Sequence, residues 1–282
     1  MIRCLRMEPV KRNVCSFINF KDAKLKMWRS CLQGYAEVYG HIYIVSDTET
    51  TGTAFLDERT KEYHRILEWA AIFAYRDEGG YLQPCKDNAG ELIYLDELVN
   101  PFISPSFASY KLKRSVREIP LASIEVHGIT EGLLFGHKDK LTTRPATGKT
   151  AASFDMVYST LLALVSSEPF YLGEAQVSIL FHNAYYDISF INSEAELWGM
   201  KYIESYFSVI DTWSLAKDVI PQSDIKGYSL DDCFAFVMDK YPSHVTDINR
   251  DLHSAYSDAN MLLQTYNGMV RYWKEQGVKA VS

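Results

Sequence analysis

A short apolar run that ends in two carboxylates, one residue apart, constrains this chain more than any other feature. Residues Ile42 to Thr53 read I-Y-I-V-S-D-T-E-T-T-G-T. Ile42, Tyr43, Ile44 and Val45 are β-branched or aromatic, the composition of a buried strand. Asp47 and Glu49 close that strand, and Thr50-Thr51-Gly52 follows as a turn. Side chains alternate along an extended backbone, so Asp47 and Glu49 point to the same side. Two carboxylates held together repel each other. A divalent cation with a preference for hard oxygen ligands, Mg²⁺ or Mn²⁺, relieves that repulsion. The bland alternative is a solvated strand end, so the rest of the chain has to supply further ligands.

The 282 residues carry 47% hydrophobic and 23% charged side chains, enough for one sizeable core. No apolar run reaches the length of a membrane span, and the first residues lack a secretory apolar segment. Cys4, Cys15, Cys31, Cys85 and Cys233 are odd in number and widely spaced. That pattern argues against a zinc site and a disulfide framework, and it fits a reducing compartment such as the cytoplasm. The formal net charge is −7. A nucleic-acid binder needs only a local positive surface, and a metal-dependent nuclease counts as acidic without its cations. One such surface is residues 1 to 29, where eight basic residues stand against Glu8 and Asp22. The charged face of a packing helix explains it more simply than a nucleic-acid-binding arm. A second basic patch is the loop with Lys111, Lys113, Arg114 and Arg117.

In chain order the pattern predicts a helix from Asp22 to Tyr39 and the strand at Ile42. Further strands are expected at Leu67–Tyr75 and Glu91–Val99, the three forming an antiparallel meander. A short helix is expected at Leu121–His127, and a polar, exposed segment at Gly136–Lys149. Gly148-Lys149-Thr150 is not a phosphate loop, because Thr143 stands where that loop needs glycine. A helix over Ala151–Ser166 precedes a buried strand, Gln176–Phe181. The strand's resemblance to a clamp-binding peptide is discounted, because a central strand is not a free peptide. A helix over Ala184–Trp198 carries Asp187. Tyr206–Ile210 is expected as the last strand. Helices follow at Asp211–Val219, Ser229–Met238 (Ser229 as cap) and Asp251–Tyr272.

Asp187 falls one turn into a helix that begins at a strand end. His253 and Asp258 lie near the start of the last helix, five residues apart, and become neighbours if its first turn is irregular. Four carboxylates and a histidine near element ends are what two-metal phosphodiester hydrolysis requires. The imidazole, with an ordinary pKa of about 6.5, can take a proton from water near neutral pH.

The segments D-T-E-T-T-G (Asp47 to Gly52), H-N-A-Y-Y-D (His182 to Asp187) and H-x4-D (His253 to Asp258) resemble the three motifs of the DEDDh 3′–5′ exonucleases. The resemblance is strongest to the proofreading epsilon subunit of bacterial DNA polymerase III. Val126 to Thr130, Asp211 to Lys217 and Tyr228 to Asp232 look like that family's connecting segments. A tyrosine subclass would need Tyr at position 254, which is serine. The resemblance implies a ribonuclease H-like α/β fold, a five-stranded mixed sheet flanked by helices. The chain is expected in three parts: a basic, partly helical extension over 1–40 that exceeds a minimal exonuclease, an exonuclease domain over 41–275 and a short tail over 276–282. The resemblance implies Asp47, Glu49, Asp187 and Asp258 as ligands of two Mg²⁺ or Mn²⁺ ions, and His253 as general base. Thr50, Thr51, Gly52, His127 and Asn183 would meet the 3′-terminal nucleotide, and Tyr185 or Tyr186 could stack on a base. The expected substrate is the 3′ end of nucleic acid, single-stranded DNA ahead of RNA. An exoribonuclease like ribonuclease T or oligoribonuclease, and a non-catalytic binding module, remain as alternatives. About ten residues follow the last helix, where a proofreading subunit usually carries a polymerase-binding tail, so polymerase association stays open.

Overall fold

The computed structural model describes residues 23–56, 63–105, 118–165, 176–242 and 253–277. Most of the basic stretch at the start of the chain, and the four cations of the 111–117 loop, lie outside them. The first element is helix α1 (Ala23–Tyr39), followed by strands β1 (His41–Thr50) and β2 (Ile66–Arg76). Strands β3 (Leu82–Pro84) and β4 (Tyr94–Leu98) come next, then helices α2 (Leu121–His127), α3 (Glu131–Leu134) and α4 (Phe154–Val165). The remaining order is β5 (Gln176–Phe181), α5 (Ala184–Trp198), β6 (Ser208–Asp211), α6 (Thr212–Val219), α7 (Leu230–Lys240) and α8 (Ala255–Glu275).

The sheet is mixed, in the order β3-β2-β1-β5-β6, with β4 also on the outer edge of β2. β1 runs antiparallel to β2 and parallel to β5, and β5 runs parallel to β6. It has six strands rather than the expected five. The sixth is β3, three residues that share the edge of β2 with β4 and are too short for alternation to register. The sequence pattern also placed the last strand early: residues Ile203–Ser205 turn as a 3₁₀ helix, and β6 begins at Ser208.

Alternation along β1 divides the core. Ile42 and Ile44 face one side, packed with Trp28 and Leu32 of α1 and with Phe154 and Tyr158 of α4. Tyr43 and Val45 face the other, packed with Ala259, Leu262 and Tyr266 of α8. The first 17-residue helix thus shares its core with the central strand. Continuing the odd-numbered series along β1 carries Asp47 and Glu49 to the α8 side. A β-bulge follows: Glu49 pairs with Glu68, but Thr50 pairs with Ile66. Bulges at the end of a strand re-aim the chain next to functional sites.

Candidate active site

The carboxyl ends of β1 and β5 lie side by side, the place where open α/β sheets bind ligands. Asp47 and Glu49 come from β1. Thr48, between them, points to the opposite face, and both its backbone N–H (3.1 Å) and its hydroxyl (2.7 Å) donate to Asp187 Oδ1. One three-residue stretch therefore supplies two acids and fixes a third. Asp187 sits in the first turn of α5, 3% exposed. The start of α5 is itself pinned. Asn183 adopts a left-handed conformation (φ 61°), and Asp211 Oδ1 accepts the N–H groups of Asn183 (3.0 Å), Ala184 (3.2 Å) and Trp213 (3.1 Å). His182 is held by the Thr212 hydroxyl at 3.0 Å and the Tyr228 carbonyl at 2.8 Å.

α8 begins at Ala255, not at Asp251, and Ser254 caps it by accepting the Ser257 N–H. His253 thus precedes the helix, and this breaks the helical rotation that would separate it from Asp258. Its Nδ1 lies 3.0 Å from Asp258 Oδ2, and its side chain is 42% exposed. Donation from Nδ1–H to the carboxylate leaves the lone pair on Nε2. The His253 backbone N–H donates to the Val126 carbonyl at 3.2 Å, seating α2 against this corner.

The cluster is strongly acidic. Burial first, then Asp187, Asp258, Glu49 and Glu68, push the Asp47 carboxyl well above the ordinary range. Burial, Asp258 and Glu68 do the same to Glu49, with Arg144 opposing. Asp187 is raised by burial and pulled back by its two bonds from Thr48. Glu49, His253 and Asp258 offer ligand atoms all within 4.8 Å of one another. An oxygen-rich donor set under mutual repulsion fits hard divalent cations.

The residues expected at the substrate differ in placement. The Thr50 hydroxyl, the Tyr186 hydroxyl and the Gly52 carbonyl form a hydrogen-bonded triangle of 2.6, 2.7 and 2.8 Å. Thr51 is 1% exposed, and its Oγ1 accepts the Arg65 N–H at 2.9 Å. These hydroxyls brace the turn after β1 from inside. Gly52 is partly exposed, and Asn183 and Tyr185 are exposed, Tyr185 at 81%. His127 is buried, with Nδ1 accepting the Ile129 N–H at 3.0 Å.

Two residues escaped the sequence reading. Glu68 lies directly across from Glu49 in the β1–β2 ladder, 4% exposed. Its signal was available, because it is an acid inside the apolar run Ile66–Tyr75 and a buried carboxylate needs a partner. That partner is Arg144, from the segment Gly136–Lys149. The segment was expected to be only polar and exposed, but this side chain turns inward, because buried Glu68 requires a cation. Arg144 donates from Nη1 and Nη2 to the two Glu68 oxygens, at 2.5 and 3.1 Å.

This sheet, with its donors gathered at the carboxyl ends of two parallel strands, has the ribonuclease H-like arrangement, and the site resembles that of the DEDDh 3′–5′ exonucleases. In sequence the chain is similar to the epsilon subunits of DNA polymerase III. It is 27% identical over 227 residues to the DNA polymerase III subunit epsilon of Rickettsia prowazekii (strain Madrid E), covering 79% of this chain and 71% of that one. It is 27% identical over 184 residues to the same subunit of Buchnera aphidicola subsp. Baizongia pistaciae (strain Bp), covering 64% of this chain and 61% of that one. The chain thus spans under two thirds of the Buchnera subunit's length. No family model matches it. In fold it is similar to the crystal structure of a full-length 3′-exonuclease, with a TM-score of 0.51 at 14% identity, over 84% of this chain and 62% of that one. Among the described residues no helix is long and apolar enough to cross a membrane, and Cys31, Cys85 and Cys233 are free thiols.

Proposed function

We propose that residues 41–275 form an exonuclease domain that removes nucleoside 5′-monophosphates from the 3′ ends of single-stranded DNA. One observation carries the reading: Asp47, Glu49, Asp187 and Asp258 interact in one acidic cluster, and His253 is bonded to the last of them. Asp47, Glu49, Asp187 and Asp258 would hold two Mg²⁺ or Mn²⁺ ions. Bound there, the cations supply charge neutralisation, a lowered water pKa and stabilisation of the leaving oxygen.

The chain's own groups do the rest. Asp258 holds the His253 tautomer that leaves Nε2 as proton acceptor, and Nε2 takes a proton from the attacking water. The water oxygen bonds to phosphorus, the P–O3′ bond breaks, the leaving 3′-oxygen takes up a proton from solvent, and the shortened strand departs with a 3′-hydroxyl. Thr48 keeps Asp187 in register with Asp47 and Glu49. The braced turn at Thr50–Gly52, with His127 and Asn183, would border the terminal nucleotide, and exposed Tyr185 would stack on a base. The preference for DNA follows the naming of the epsilon relatives.

The test uses 5′-labelled single-stranded DNA and RNA of matched sequence, with Mg²⁺ or Mn²⁺ and the Asp47→Ala protein as control. Shortening from the 3′ end of DNA, absent in Asp47→Ala, supports the proposal. Shortening of RNA alone moves the substrate to RNA. No metal-dependent product on either sinks the exonuclease reading.

A further inference from the structure

Glu49 and Glu68 face each other across β1 and β2 at the edge of the acidic cluster. Like charges directly opposite in a ladder destabilise it, and a buried carboxylate without a counter-charge costs more. Arg144 is the counter-charge, and its reach extends further. The Nη2 group that bonds Glu68 also donates to the His253 carbonyl at 2.9 Å. The Glu68 oxygen it bonds accepts the Ala255 N–H at 2.8 Å, one of the donors at the start of α8 that no helical carbonyl can satisfy. One guanidinium thus ties β2, the residue carrying the imidazole, and the first turn of the helix that carries Asp258.

The segment that delivers Arg144 is closed at its neck. Gly148 N–H donates to the Gly136 carbonyl at 3.1 Å, and Gly136 has φ +83°. A Cβ on Gly136 would come within 2.5 Å of the Lys149 nitrogen. Residues 136–149 therefore form a self-contained loop whose middle is docked in the site, the geometry of a functional Ω-loop.

We propose that Arg144 is a positioning residue for the reaction: through Glu68 and the His253 carbonyl it sets the His253 imidazole and the start of α8 relative to Asp47 and Glu49. The proposal rests on the exonuclease reading above. A planar, two-pronged cation suits this task. Lysine, a single point charge, does it in part.

The experiment measures single-turnover and steady-state cleavage of single-stranded DNA by the full chain. The proteins are wild type, Arg144→Met, Arg144→Lys, His253→Ala, and the double variants Glu68→Gln/Arg144→Met and Arg144→Met/His253→Ala. Amide hydrogen exchange at Ala255 is followed in each. Arg144→Met leaves Glu68 buried and unpaired. The Glu68→Gln double variant removes that charge and keeps the fold testable.

A misplaced catalytic group costs on the order of 10- to 100-fold. The expected result is a loss of that size in kcat for Arg144→Met and for Glu68→Gln/Arg144→Met, with KM within about threefold, partial recovery in Arg144→Lys, and faster exchange at Ala255. In the His253→Ala background the Arg144→Met change should alter kcat by less than about threefold, because the two residues act as one unit. An active wild type whose Arg144 variants keep their kcat, or keep the wild-type exchange at Ala255, overturns the proposal. So does a full, multiplicative loss in the His253→Ala background, which would put Arg144 directly on the substrate. An inactive wild type instead overturns the exonuclease reading, and the positioning role with it.

Discussion

Thr48 holds Asp187 with two hydrogen bonds to the same carboxylate oxygen, one from its backbone N–H and one from its hydroxyl. The residue between two acids of the first motif therefore orients the acid of the second, 139 positions further along the chain. Replacing Thr48 with Val keeps the branched shape and the backbone bond but removes the hydroxyl. The expected outcome is a loss of about 1–2 kcal/mol in unfolding free energy, measured by urea titration. Activity should fall more than tenfold, with a higher metal concentration needed for half-maximal rate, checked by metal titration of single-stranded DNA cleavage. An unchanged metal dependence would remove Thr48 from the site.

Asp211 joins the start of α5 to the start of α6. Its Oδ1 accepts three backbone N–H groups, and Oδ2 accepts the Ser214 hydroxyl at 2.8 Å. Asp211→Ala leaves those donors without their acceptor and frees the left-handed Asn183. A loss of about 2 kcal/mol is expected. The melting temperature should fall, and activity should fall with it, because Asp187 is carried on the first turn of α5. Differential scanning calorimetry and the cleavage assay check both.

Arg65 and Glu194 form an ion pair whose side chains are each 2% exposed, and Arg65 Nη1 also donates to the Pro101 carbonyl at 2.9 Å. Removing one partner strands a buried charge, so Glu194→Ala should cost about 3–5 kcal/mol in equilibrium unfolding. A double replacement, Arg65→Met with Glu194→Leu, should recover most of that loss. A variant no less stable than wild type would mean that the pair is relieved by local opening.

His127 brings a pH dependence. Burial, reinforced by the charge of Arg144, lowers its pKa from 6.5 to about 4. A base with a lowered folded-state pKa binds fewer protons than the unfolded chain between those values. Its contribution to stability is complete above pH 6.5 and is lost as the pH falls toward 4. The loss is on the order of 3 kcal/mol. Unfolding free energies measured from pH 7.5 to 4 should therefore fall less steeply in His127→Gln than in wild type. Parallel slopes would show that His127 is protonated without penalty.

Much of this is legible in the sequence. Strand alternation put Asp47 and Glu49 together, and local pattern located the helix at Leu121–His127, the strand at Gln176–Phe181 and the Ser229 cap. Boundaries slipped where a tertiary contact decided them. Ile203–Ser205 turns before β6 begins, and α8 starts at Ala255, where its first N–H meets Glu68. The strand Leu82–Pro84 is too short for alternation to register, and only its pairing with β2 makes it a strand.

By itself the sequence determined which residues can share a face and which chemistry they can bring. Spacing within one strand or one helix dictates side-chain direction. The carboxylates, the histidine and the strand that ends in them are therefore local properties. Only the tertiary structure decided that Glu68 stands opposite Glu49, that His253 bonds Asp258 from outside the helix, and that Arg144 leaves a polar loop to meet them. The Arg144 contacts join residues dozens of positions apart, and chain spacing carries no information about a loop's path. What selects the path is the cost of leaving a buried charge unpaired, which is settled only when the elements have packed.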